Sequence, residues 1–137
     1  VMEGADKAIE FYEKVFDAKQ TFRLDGPNGK IMHATIQIGD STIMLNEACE
    51  EVQKLPPGRP PFTLYVYVDD VDTTYKKAVE AGAIGVMDPQ DMFYGDRFGA
   101  IRDPFGHVWS IATHIEDVSE DEIRERAANM FEKTKAA

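Results

Sequence analysis

Gly39 and Gly106 each open a short strand, and they stand 67 residues apart; Ala18 and Ala83 each follow a helical segment, 65 residues apart. Near-equal offsets in a 137-residue chain point to one supersecondary unit, a helix followed by a meander of strands, used twice.

The local patterns support that reading. Ala5, Ala8, Ile9, Tyr12, Val15 and Phe16 share one helical face, with Glu10, Glu13 and Lys14 elsewhere. Asp25-Gly26-Pro27-Asn28-Gly29 marks a turn between two strands. Met32, Ala34, Ile36 and Ile38 then alternate with His33, Thr35 and Gln37, a strand with one oily and one polar face. Gly39-Asp40 turns the chain into a second strand, Thr42 to Asn46.

Residues 55–61, with four prolines that lack amide donors, read as a connector between two halves. The second half opens on a strand from Phe62 to Val68. Asp69-Asp70-Val71-Asp72 offers caps for a helix striped by Val71, Tyr75, Ala78 and Val79 and ended by Gly82. Strands near Gly85–Met87, Phe98–Arg102 and Val108–Thr113 follow. Ser119 and Glu122 form a capping box for a final helix striped by Ile123, Ala127, Met130 and Phe131. The expected organisation is a paired-module domain over 1–118, with modules at about 1–54 and 61–115, and a C-terminal helix over 119–137. Only Val1-Met2-Glu3 precede the first helix, so the first module's opening strand is either very short or begins outside this sequence.

Composition narrows function by exclusion. The net charge of −10, with no cluster of Lys and Arg, argues against a nucleic-acid partner. No apolar run approaches the ~20 residues of a membrane helix, and no signal-peptide pattern is visible. A single cysteine, Cys49, forbids an internal disulfide and fits a reducing compartment, so a cytoplasmic protein is expected. Cys49 has no neighbouring base that would make it a nucleophile.

Six segments carry a family resemblance: residues 4–12, Met32-His33-Ala34, Ile38-Gly39-Asp40-Ser41, residues 67–72, Tyr94-Gly95-Asp96-Arg97 and Asp103-Pro104-Phe105-Gly106-His107. The chain resembles the vicinal-oxygen-chelate superfamily of glyoxalases, fosfomycin-resistance enzymes, extradiol dioxygenases and bleomycin-binding proteins, and within it the PhnB-like branch. The resemblance implies an α+β fold: two βαβββ modules forming a curved mixed sheet, helices on the convex side and a ligand cavity on the concave side. It also implies, in the metal-dependent members, a divalent ion held by His, Glu or Gln on the first and last strands of the modules. Carried onto this sequence, the second module's His position falls at Leu64 and its Glu position at Ser110. The first module's last strand offers Met44 or Asn46. None of these is a strong ligand for zinc, nickel or iron, so no metal and no cofactor is expected.

With that cavity implied, strand alternation gives it apolar walls of Met44, Leu64, Val66, Val108 and Ala112, with His33, Gln37, Asn46 and Ser110 as orienting polar groups beside Thr35. His33 either faces water with the rest of its polar face or serves as the cavity's hydrogen-bonding group. Tyr94 and Arg97 either belong to a turn with a surface ion pair or form the rim, Tyr94 stacking on a ring and Arg97 gripping an anionic group. His107 packs against its hairpin, His114 lies at the surface, and Glu47 faces away from Met44 and Asn46.

Two functions of different class follow. The first is metal-free binding or sequestration of a small molecule in the cavity. The second is a metal-dependent lyase, isomerase or dioxygenase of the glyoxalase type. Methyl transfer, a label some PhnB-like sequences carry, lacks a glycine-rich strand-to-helix loop for a nucleoside cofactor here. A homodimer is expected from the C-terminal stripe and from the family's tendency to complete cups by pairing modules.

Overall fold

The computed structural model describes residues 1–26, 29–48 and 63–136, the last seven by backbone alone. The expected Pro-rich connector, Cys49, the Pro27-Asn28 turn tip and the side chains of Met130 and Phe131 lie outside the described residues. In chain order the elements are α1 (Ala5–Phe16), β1 (Lys19–Asp25), β2 (Ile31–Ile38), β3 (Ser41–Leu45), β4 (Leu64–Tyr67), α2 (Val71–Glu80), β5 (Ile84–Asp91), β6 (Asp96–Arg102), β7 (Val108–His114) and α3 (Glu120–Ala136). This is the expected α+β arrangement, a helix and meander used twice, with an added C-terminal helix.

The strands form two sheets, ordered β1-β2-β3 and β4-β7-β6-β5. Neighbours are antiparallel except β4, which runs parallel to β7. A single parallel bridge between Met2 and Glu47 beside β3 repeats that parallel pairing in the first module.

Local chemistry explains the helix starts. Asp70 caps α2 as the sequence predicts, accepting from the Thr73 amide at 3.1 Å and its hydroxyl at 2.8 Å. Gly4 has no side chain to cap α1. Its place is taken by Glu47, whose carboxylate oxygens accept from the Gly4 and Ala5 amides at 2.9 and 2.8 Å. Two otherwise orphaned donors are satisfied, and a negative charge sits at the helix's positive end.

Each sheet turns one face to a shared core. Ala34, Ile36 and Leu45 of the first sheet and Ile101, Trp109 and Ile111 of the second are all buried in it, with one side of each of α1 and α2. The aromatic centre crosses the module boundary: Trp109 of β7 lies 4.5 Å from Phe16 and 5.2 Å from Tyr12 of α1, between ring centroids. The modules thus bury their apolar faces against each other rather than separately.

Asp103 locks this boundary. Its carboxylate, 3% exposed, accepts from Tyr12 Oη at 2.6 Å, Trp109 Nε1 at 3.0 Å and the backbone amides of Phe105 and His107, both at 2.9 Å. Burial pushes this carboxyl up, but polar contacts with His107, Tyr12 and Trp109 outweigh it and hold it below the usual range. The same burial, reinforced by the Asp103 charge, pushes the Tyr12 phenol far up, so it stays a donor. His107 packs on this hairpin, its side chain 11% exposed.

Helix α3 begins at the Ser119 cap, which accepts from the Glu122 amide at 3.3 Å. Arg126 then reaches back to the Phe93 carbonyl at 3.2 Å and pairs with Glu116 at 2.8 Å. Ile123 and Ala127 are half-buried, so α3 rests on the domain by one side. No helix among the described residues is long and apolar enough to cross a membrane.

Candidate functional site

The face of each sheet turned away from the core is open, and strand register decides what it carries. In the first sheet Thr35 lies between Phe22 of β1 and Met44 of β3, and His33 lies opposite Leu24. Phe22 and Met44 are more than half exposed and Leu24 is nearly so. His33 Nε2 meets Thr35 Oγ1 at 3.2 Å, and its ring lies 6.0 Å from Phe22. Gln37 is exposed on the same face, opposite Thr42. Asn46 is half-buried beyond the end of β3, its amide donating to the Glu47 carbonyl at 3.0 Å.

In the second sheet Tyr65 pairs with Ser110 and Tyr67 with Ala112, and across β7 the partners are Ala100 and Phe98. The open face therefore has a floor of small side chains, Ala100, Ser110 and Ala112, beneath large rings. Tyr65 and Tyr67 are 49% and 62% exposed, and the Tyr65 ring lies 5.3 Å from Tyr67 and 5.8 Å from Phe98. Tyr94 sets its phenol beside that of Tyr65. Burial, then the neighbouring Tyr94 and Tyr67, push the Tyr65 phenol well above its ordinary value, so it remains neutral.

A polar chain runs along one edge of these rings. Tyr67 Oη donates to Asp96 Oδ2 at 2.8 Å, and His114 bridges Asp96 at 3.0 Å and Asp117 at 2.7 Å. Hydrogen bonds to Asp117 and Asp96 raise the His114 pKa, favouring its charged form beside the buried Asp96 carboxylate.

Three predicted positions need correction. Leu64 and Val66 were expected as cavity walls, but they pair with Trp109 and Ile111 and pack against the core. The wholly apolar side chains of the Leu-Tyr-Val-Tyr strand take the dry face, because a tyrosine hydroxyl needs a partner or water. Tyr65, not Leu64, therefore stands beside Ser110. Arg97 was expected, in one of its two readings, to grip a ligand. It has the parity of Gly99 and Ile101 and faces the α2 side, where it meets Asp72 at 2.6 and 2.9 Å and Asp91 at 2.8 Å. The surface ion-pair reading is the one the structure contains. Val108, Ser110 and Ala112 lie on the open face, since their neighbours Trp109 and Ile111 point into the core.

The sequence reading missed Tyr65, Tyr67, Phe98, the Asp96–His114 pair and Arg102. Arg102 is opposite Val108 and Ile84, on the open face two positions beyond Ala100. Parity counted back from the buried Ile101 would have separated it from Arg97.

A groove of about 610 Å³ also lies at the module boundary, between the end of α1, the β2–β3 turn and the start of α2. Its charged walls include Asp17, Lys19, Asp69 and Lys77. Of the predicted site residues it reaches only Gln37.

The model of the Glyoxalase/Bleomycin resistance protein/Dioxygenase superfamily matches residues 2–111. The chain belongs to that superfamily. This superfamily chain is 39% identical over 130 residues to the uncharacterized protein Rv0887c of Mycobacterium tuberculosis, covering 90% of this chain and 76% of that protein. Among solved structures it is similar to TioX from Micromonospora sp. ML1, with a TM-score of 0.67 and 28% identity over 84% of this chain and 93% of that one. It also shares the fold of the PhnB protein from Bacillus cereus, with a TM-score of 0.66 and 20% identity over 82% and 92% of the two chains.

Glyoxalase-type enzymes of the superfamily use a divalent metal, and the donors here can be tested against one. On the open faces the positions at issue carry Tyr65, Ser110, Met44 and Asn46. A neutral phenol held high in pKa, a serine hydroxyl, a thioether and an amide are a poor set for a transition-metal ion. Among the described residues no three His, Cys, Asp or Glu side chains converge. The donor set does not fit the family's metal.

Proposed function

We propose that the protein binds a small aromatic or amphipathic molecule without a metal and acts by holding it rather than by turning it over. The observation that carries this reading is the cluster of Tyr65, Tyr67 and Phe98 rings over a floor of small residues on the second sheet. Solvent-exposed rings in mutual contact present flat apolar area that a planar ligand can cover, while hydroxyls at their edges give orientation. The lone cysteine is in keeping with a cytoplasmic setting.

The protein is further proposed to be a homodimer. One chain carries two open sheet faces, one with Phe22, Leu24 and Met44 and the other with the tyrosine rings. A two-fold axis can lay the first face of each copy over the second face of the other, enclosing two equivalent cups and covering apolar area on both. His33, Thr35, Gln37, Met44 and Asn46 of one copy would then face Tyr94, Val108, Ser110 and Ala112 of the other. Light scattering is expected to give twice the chain mass, and a monomer at high protein concentration would remove this part of the proposal.

A melting screen with planar aromatic compounds tests binding directly. A compound at a hundred times its Kd is expected to stabilise the fold by about 2.7 kcal/mol. Tyr65→Ala should abolish that shift while leaving the ligand-free melting temperature nearly unchanged, since the ring is 49% exposed. Stoichiometric zinc, nickel, manganese or iron in the purified protein would favour the enzymatic alternative instead.

A further inference from the structure

Arg102 stands apart from the other arginines of the described residues. Arg23 pairs with Asp25, Arg97 with Asp72 and Asp91, Arg124 with Glu120 and Asp121, and Arg126 with Glu116 and Glu122. The chain carries 25 Asp and Glu residues, yet Arg102 has no carboxylate partner among the described residues. Its Nε is buried and makes no hydrogen bond among the described residues. A buried donor without an acceptor is destabilising and is rare unless something else supplies the acceptor.

Its location says what that could be. Phe98, Ala100 and Arg102 share the open face of β6, and Val108 and Ser110 share that of β7 beside it. Alternate residues of a strand lie about 6.8 Å apart, so the Phe98 and Arg102 α-carbons are about 13–14 Å apart. Between them along β6 and β7 lie Ala100 and Ser110, small side chains flanked by Met87 of β5 and Tyr65 of β4. Rings stand at one end of this floor, and at the other a guanidinium with no carboxylate partner among the described residues.

We propose that Arg102 grips an anionic group, a carboxylate or phosphate, on a ligand whose ring system lies against Tyr65 and Phe98, with the Ser110 hydroxyl between them. This rests on the binding reading above and names its ligand class: aromatic acids rather than neutral or cationic aromatics. A guanidinium offers parallel N–H donors to two oxygens of one anion, a geometry that a neutral amide of the same shape cannot answer.

Calorimetric titration with 2-naphthoate and its neutral counterpart 2-naphthamide tests the proposal. The wild-type protein is expected to bind the acid about tenfold or more tightly than the amide. Arg102→Gln should erase that preference while keeping the amide's affinity, and Arg102→Lys should restore part of it. Arg124→Gln, an exposed cation elsewhere, should change neither. Equal affinity of the wild-type protein for both compounds overturns the role of Arg102 and leaves the binding reading standing. A preference that survives in Arg102→Gln does the same. If neither compound binds the wild-type protein, both proposals fall, and this outcome needs no variant to fold.

Discussion

Replacing Asp103 with alanine is expected to lower the unfolding free energy by about 3–5 kcal/mol, enough to endanger a domain of ordinary stability. The carboxylate is buried and is the common acceptor for Tyr12, Trp109 and two backbone amides. Alanine strands two side-chain donors in the aromatic centre and two amides in the hairpin, and an unmet buried donor forfeits its full desolvation cost. Tyr12→Phe removes one donor and leaves Asp103 its others, so about 1 kcal/mol is expected there. Urea denaturation of the two variants beside the wild type is the measurement. A loss below about 1 kcal/mol for Asp103→Ala would mean that the carboxylate is not the lock between modules.

The same group sets an acid limit. Its folded-state pKa lies below the ordinary carboxylate value of about 3.9, so the unfolded chain takes up its proton first as pH falls. Its contribution is therefore complete above about pH 4 and is lost as pH drops through the lower folded-state pKa. Asp103→Asn, which cannot be protonated at this position, should show a shallower loss of stability across that acid range than the wild type.

Gly95→Ala is the second large effect, about 2–4 kcal/mol of destabilisation. Gly95 has φ +100, a region that side chains avoid. A β-carbon there would run into the Glu116 carbonyl oxygen and crowd Val118 at 3.0 Å. Backbone is what it meets, so the strain cannot be relieved by turning a side chain. The Gly95 carbonyl also accepts from the Ile115 and Glu116 amides, both at 3.0 Å, tying the Tyr94 loop to the segment that leads into α3. The variant should therefore lose stability and also shift Tyr94 away from Tyr65, measurable as altered tyrosine resonances and weaker aromatic-ligand binding. Thermal melting within about 0.5 kcal/mol of the wild type would show that this contact yields more easily than its geometry implies.

Much of this fold was legible because its signals are local. The stripe of α1, the Asp70 cap, the alternation of β2 from His33 to Ile38 and the Ser119 cap each depend on residues within a few positions of one another, whereas Met32, expected on the oily face of β2, is 60% exposed. The family resemblance then arranged those pieces into paired modules. Glu47 was set aside as facing away from the cavity. Its actual duty, capping α1 from 43 residues away, has no local signature.

The open faces were harder. For β4, alternation said that Leu64 and Val66 share a side and that Tyr65 and Tyr67 share the other. It could not say which side meets the core, because both pairs are hydrophobic enough to be buried. For β6 the arginines at 97 and 102 differ in parity, so one must face α2 and the other the open face. Asp72 and Asp91 resolve the choice, and they meet Arg97 only once α2 and β5 flank β6.

Sequence alone determined the duplicated helix-and-meander order, the superfamily and the weak metal donors at Met44, Asn46 and Ser110, since these are matters of residue type and spacing. Only tertiary structure decided which face of β4 is dry, which arginine is spoken for, and that α1 of one module packs on Trp109 of the other. Those outcomes depend on which distant surfaces meet, and a side chain's burial and charge partners are set by that meeting rather than by its neighbours along the chain.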